Sequence, residues 1–186
     1  FNIEKLLNIG SLFFSRGKKA TPGMHFQINL LRPKSTGTVK LKSSDPKDEL
    51  LINPNWFSDP LDMNDMIEGM KHMRKIMSQP SFKNIAGEEL QPGNNFKNDF
   101  ELKEAVRNFV QTGHHPASTC AMGSDNNVLA VLDEKLRVKG IKNLRVVDAS
   151  SFPDMISGNI NASVIMIAEK AADMILGKEP LKTEKL

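Results

Sequence analysis

Between Pro60 and Pro80 the chain has little choice but a helix. Proline has no backbone N–H and holds its own φ at about −65°, so it opens helices and terminates those that reach it. Asp59 stands where a side-chain oxygen caps a first turn. Met63, Met66, Ile67, Met70, Met73 and Met77 then recur at helical spacing and form one apolar stripe. Methionine fills irregular core gaps, so this stripe reads as a core-facing surface rather than a ligand box. A second helix opens at Asn98, where Glu101 stands in place to complete a capping box. Leu102, Ala105, Val106, Phe109 and Val110 share one of its faces. A third helix is expected over residues 162–176, with Asn161 as its cap and Gly177 as its stop.

Strands are expected between and after these helices. Residues 24–31 alternate roughly, residues 38–42 alternate with Val39 and Leu41 on one face, and residues 50–52 end at Asn53-Pro54-Asn55. Ser35-Thr36-Gly37 and Ser44-Asp45-Pro46 are turn chemistry, so consecutive strands point to an antiparallel sheet. Residues 128–132, 136–138 and 144–147 read as further short strands. The last is apolar enough for burial on both faces.

The chain has 186 residues, 39% of them hydrophobic and 25% charged, which suffices for one domain with a core, or one domain plus a small appendage. Its net charge of +3 comes from 25 basic and 22 acidic residues that are interspersed, so no nucleic-acid role is expected. No apolar run approaches the roughly 20 residues of a membrane span. The first residue is Phe1 and no targeting signal is legible, so a fragment or processed product is expected, with residues 1–23 a peripheral loop. Cys120 is the only cysteine, which excludes an internal disulfide and a thiolate zinc cluster. That fits a reducing compartment; a cytoplasmic or peripheral membrane location is expected.

Two segments carry chemistry. In Gly113-His114-His115-Pro116-Ala117-Ser118-Thr119-Cys120-Ala121-Met122-Gly123, the proline pushes His115 into an extended conformation. Histidine is a residue type suited to acid/base work near neutral pH, although from this segment alone a surface or structural role for His115 is the favoured reading. His114 and His115 would point to opposite sides, and His25 and His72 have no partner in view, so no metal is expected. Cys120 and Ser118 lack a nucleophile elbow, and Cys120 reads as a small buried residue. The second segment runs from Asp148-Ala149-Ser150 through Pro153 to Gly158-Asn159-Ile160-Asn161-Ala162 at a helix start. Such a start suits an anion or cofactor, or is plain capping by Asn161. Asn161-Ala162-Ser163 also matches a glycosylation sequon, discounted at a helix cap. No G-x-G-x-x-G or Walker loop occurs, so this chain alone cannot cradle a dinucleotide in the usual way.

Several segments in fixed order carry a resemblance. They are Arg32-Pro33-Lys34-Ser35-Thr36-Gly37-Thr38-Val39, then Gly87-Glu88-Glu89-Leu90-Gln91-Pro92-Gly93. His114-His115-Pro116, Thr119-Cys120 and Met122-Gly123 follow, then Leu144 through Ser150, Gly158 through Ala162, and Ile165 through Asp173. Together the chain resembles the distal third of the glucose-methanol-choline family of FAD-dependent oxidoreductases.

That resemblance implies an α+β fold: an antiparallel sheet with packed helices forming the substrate-binding domain, plus a C-terminal strand and helix completing the FAD-binding domain. It assigns residues 1–140 to the substrate side, 141–178 to the segment returning to the FAD domain, and 179–186 to a tail. It implies His115 as the active-site base and Asn159 as the second catalytic position, the Asn variant found in choline-oxidising members. It places Asp148, Ala149, Asn161 and Ala162 against FAD. The implied substrate is a small primary alcohol, choline among them, and the implied partner is an N-terminal FAD-binding portion of the same polypeptide. One departure stands out: Ser118 occupies a position where the family usually has glycine, a residue that permits unusual φ. The rival readings are a binding module that kept the fold without catalysis, and a metal-dependent hydrolase using His114 and His115.

Overall fold

The computed structural model describes residues 23–182. The expected loop at 1–23 and the end of the 179–186 tail therefore lie almost wholly outside the described residues. Chain order is β1 (Thr38–Lys40), β2 (Leu51–Asn53), α1 (Pro60–Met77), α2 (Asp99–Phe109) and α3 (Asn161–Ile175).

Both proline-and-cap expectations hold. The Asp59 side chain accepts a hydrogen bond from the Leu61 amide, Pro60 opens α1, and the helix ends at Met77. The Asn98 side chain accepts from the Glu101 amide, while the Glu101 carboxylate accepts from the Asn98 amide. Helix α1 packs on α2. Their shared core holds Met63, Ile67, Leu102 and Val106, flanked by Phe57, Met66, Met70, Phe96 and Val110. The N-terminal part of the methionine stripe is thus core. Phe96 meets Phe109 edge-on, with ring centroids 6.4 Å apart.

A second core gathers Leu132, Leu136, Phe152, Ile167 and Ala171, with Ala117, Cys120, Met122, Ile156, Ile160 and Val164 packed against it. Cys120 is half-buried there, as a small apolar residue would be. At the C-terminus of α3, Gly177 takes φ +66°; its amide bonds to Met174 O and that of Lys178 to Asp173 O. This double closure is the glycine stop read from sequence.

The sheet is smaller than expected. β1 and β2 pair antiparallel, with Thr38 opposite Asn53, Val39 opposite Ile52 and Lys40 opposite Leu51. Both strands are exposed throughout, so neither face is covered by the helices. Residues 24–31 form no strand. Residues 128–132, 136–138 and 144–147 make only isolated bridges: Met122 with Leu132, Leu132 with Val138, and Arg137 with Arg145. The 144–147 segment, expected to be buried on both faces, leaves Leu144 45% exposed. The physical reason is pairing. A strand needs hydrogen-bonding partners along its edges, and 144–147 finds them among the described residues only at Leu136 and Val138.

Candidate functional site

Helix α2 stops at Val110, whose extended backbone releases the chain into the histidine loop. Within that loop two non-glycine residues take left-handed φ, His114 at +57° and Ser118 at +67°. Each such residue costs roughly 1–2 kcal/mol and persists only where its surroundings hold it. The Thr112 hydroxyl accepts from the His114 amide at 3.1 Å, and the Ala149 carbonyl accepts from the Ser118 amide at 3.2 Å. The two residues bracket His115-Pro116-Ala117, so the loop presents His115 in one fixed way.

His115 is half-buried, and its Nδ1 hydrogen-bonds the Gly113 carbonyl oxygen. A carbonyl can only accept, so Nδ1 carries the hydrogen in the neutral ring. Nε2 is then the unprotonated nitrogen, able to take a proton.

The loop is laced to the second segment. The Ser118, Cys120 and Met122 amides donate in turn to the Ala149, Ser150 and Ser151 carbonyls, at 3.2, 2.9 and 3.0 Å. That second segment is itself tied down. The exposed Asp148 carboxylate accepts from the Ser150 amide at 2.7 Å and from the Ser150 hydroxyl. The Asp148 carbonyl accepts from the buried Ser151 hydroxyl at 2.6 Å. Ala149, Ser150 and Ser151 are therefore held against the histidine loop by backbone hydrogen bonds, and Asp148 is tied to them.

The chain then passes Phe152 and Ile156 to Asn159, which is exposed. Ile156 and Ile160 pack on the same core as Ala117 and Cys120, so both loops rest on one buried cluster. No hydrogen bond joins the His115 and Asn159 side chains. One expectation is corrected here: Asn161 does not cap α3. The helix already includes Asn161, and Ile160 at the cap position is itself helical, at φ −76° and ψ −14°. A capping side chain needs a cap residue with extended backbone, so that its oxygen turns back onto the first-turn amides. No side chain caps α3, and Asn161 and Ala162 are exposed. First-turn N–H groups of a helix have no partner within it. An uncapped start of this kind, with its first-turn amides free, fits the acceptor atoms of a flavin.

Sequence reasoning missed Asp62. It is only 2% exposed, and its two oxygens accept from the Lys34 and Ser35 amides, each at 2.8 Å. In return the Ser35 hydroxyl accepts from the Asp59 amide at 3.0 Å. Burial raises the Asp62 carboxyl, but the hydrogen bonds from Lys34 and Ser35 and the Lys34 charge outweigh it and hold the group below the usual aspartate value. An acid in a first helical turn looks ordinary in sequence, which is why its clamp was not legible. Arg74 was missed too: it grips Glu89 with Nε and Nη2 at 2.8 and 2.7 Å, tying α1 to the Gly87–Gly93 segment.

Among the described residues no group of three or more His, Cys, Asp or Glu is arranged to hold a metal ion. None of their helices is long and apolar enough to cross a membrane.

Comparison with known proteins gives one consistent result. The C-terminal family model described as GMC oxidoreductase matches residues 33–168. The chain is 42% identical over 171 residues to an oxygen-dependent choline dehydrogenase of Vibrio vulnificus, covering 91% of this chain and 30% of the relative. It is 41% identical over 173 residues to the mitochondrial choline dehydrogenase of Homo sapiens, covering 92% and 29%. The chain thus spans about 30% of the length of these curated relatives. Among solved structures it is similar to pyridoxine 4-oxidase from Mesorbium loti, with a TM-score of 0.73 and 32% identity over 81% of this chain and 29% of that one. It is also similar to a variant of Aspergillus oryzae formate oxidase, with a TM-score of 0.73 and 38% identity over 80% and 26%.

Proposed function

The chain belongs to the GMC oxidoreductase family, and on that premise we propose that it is the substrate-side, C-terminal part of an FAD-dependent dehydrogenase that oxidises a small, choline-like primary alcohol to its aldehyde. The observation that carries the reading is the His115 loop: bracketed by two left-handed residues, it offers Nε2 as a proton acceptor and is laced to Asp148–Ser151. The choline-like substrate rests on the names of the relatives, several of which are choline dehydrogenases.

His115 Nε2 takes the hydroxyl proton of the alcohol. The Nδ1 hydrogen bond to the Gly113 carbonyl stabilises the imidazolium that forms, because a carbonyl dipole favours positive charge beside it. The Asn159 carboxamide donates a hydrogen bond to the same substrate oxygen and holds it while the carbon–hydrogen bond breaks. Asp148 and Ala149, with Asn161 and Ala162 at the start of α3, would hold the cofactor. When bound, FAD supplies the hydride acceptor. The uncapped helix start favours negative charge beside it.

Residues 1–140 belong to the substrate side in this reading, and 141–178 return to an FAD-binding portion of the same polypeptide. The exposed apolar side chains Leu144, Ile165, Met166, Ile175 and Leu176 support that division, since a second unit would cover them.

The test is flavin absorbance in the polypeptide that joins this chain to a G-x-G-x-x-G unit. Choline or another small primary alcohol should bleach the flavin band under anaerobic conditions. A flavin that stays oxidised with every primary alcohol tried would end the reading.

A further inference from the structure

The His115 ring takes its orientation from one peptide plane. The Gly113 carbonyl and the His114 amide are the two ends of the same peptide unit, which is trans. In a planar trans unit the C=O and the N–H point in opposite directions, so whatever holds one end aims the other. The amide end is held by the Thr112 hydroxyl, which accepts from the His114 N–H at 3.1 Å. The carbonyl end accepts from His115 Nδ1. Thr112 stands two residues before the amide it holds, the spacing at which a threonine oxygen closes a local turn. That turn carries His114 at φ +57°, a conformation that persists only where its surroundings hold it. From the other side Pro116 confines His115 to extended backbone. Thr112 itself is half-buried, two residues beyond Val110, the C-cap of α2.

We propose that Thr112 is a positioning residue for the alcohol oxidation: through the Gly113–His114 peptide its hydroxyl fixes the tautomer and tilt of the His115 imidazole, so that Nε2 stays open to the alcohol proton. The proposal rests on the reading of His115 as the proton acceptor. A neutral imidazole has one ring hydrogen, and the hydrogen bond made by one nitrogen decides the state of the other. With the Gly113 carbonyl turned away, that hydrogen is free to sit on Nε2, and a ring in that tautomer cannot take a proton there. Among the described residues the His115 ring makes no other hydrogen bond, so the same loss frees its tilt. Thr112 acts through the peptide and not on the alcohol. Its removal therefore changes the rate of the step and leaves affinity alone.

The experiment is stopped-flow reduction of the flavin by choline in the FAD-loaded full-length enzyme, with Thr112→Val and Thr112→Ser beside the native protein. Valine keeps the shape of threonine without the hydroxyl, and serine keeps the hydroxyl. Thr112→Val should lower the limiting reduction rate about 10-fold, the loss of one orienting hydrogen bond, and leave the choline dissociation constant within about 2-fold. Thr112→Ser should stay within about 3-fold of the native rate. Imidazole nitrogen chemical shifts, with the His115 signals assigned by their loss in His115→Ala, report the tautomer with no substrate present. They should show the hydrogen on Nδ1 in the native enzyme and in Thr112→Ser, and on Nε2 or shared between the two nitrogens in Thr112→Val. A native rate in Thr112→Val, equal slowing in both variants, a change confined to the dissociation constant, or an unmoved tautomer would each overturn the proposal. If choline leaves the flavin oxidised, or His115→Ala reduces it at the native rate, the reading of the site fails instead, and the nitrogen shifts still decide whether Thr112 sets the ring. Thr112→Ala repeats every measurement should Thr112→Val fail to load flavin.

Discussion

The Ser118 amide donates to the Ala149 carbonyl oxygen at 3.2 Å while Ser118 itself holds φ +67°. One residue therefore does two things: it fastens the histidine loop to the Asp148–Ser151 turn, and it does so in a conformation that L-residues disfavour. A glycine keeps the amide and loses the strain, offset in part by greater freedom in the unfolded chain. Ser118→Gly should raise stability by up to about 1 kcal/mol, read as a higher urea midpoint at unchanged slope. A lower midpoint would mean that the serine hydroxyl contributes more than the strain costs.

His115→Ala should slow flavin reduction by at least ~100-fold in the full-length enzyme, the lower end for losing a general base. Asn159→Ala should slow it as well. His115 is half-buried and Asn159 exposed, so both variants should fold normally by circular dichroism. Stopped-flow reduction at saturating alcohol is the measurement, and native rates in His115→Ala would remove it from the mechanism.

Asp62 sets an acid sensitivity. Its folded value is depressed, so the stability it contributes is complete above the unfolded aspartate value of about 3.9 and is lost as pH falls through the lower folded one. Asp62→Asn keeps the shape but cannot accept both amides through a carboxylate. Urea titrations from about pH 6 to pH 2 should show an acid limb in the native chain that is shallower in Asp62→Asn. At neutral pH that variant should be less stable by about 2–3 kcal/mol. Parallel acid limbs would place the sensitivity elsewhere.

The apolar face of α3 should be adhesive when the chain is expressed by itself. Ile165 and Met166 are 54% and 58% exposed. The isolated chain should bind a hydrophobic dye and self-associate, and Ile165→Glu with Met166→Glu should reduce both. In the full-length enzyme the same pair should lower the flavin content. Flavin retained at the native level would show that this face is not a contact with the FAD-binding portion.

Features whose causes lie within a turn or two of chain were legible from sequence. Pro60 opens α1, Asn98 and Glu101 cap α2, and Gly177 stops α3, because a cap, a proline and a glycine act on backbone groups a few residues away. The histidine loop and the Asp148 segment could be singled out for the same reason, and the order of the motifs was enough to identify the family. Only the tertiary structure decided which segments pair and what each loop touches. It denied a strand to residues 24–31, reduced 144–147 to a single bridge, moved the cap position of α3 onto Ile160, and buried Asp62 beneath Lys34 and Ser35. Strand pairing and loop lacing are agreements between residues far apart in the chain, and no local run of side chains records where its partner lies.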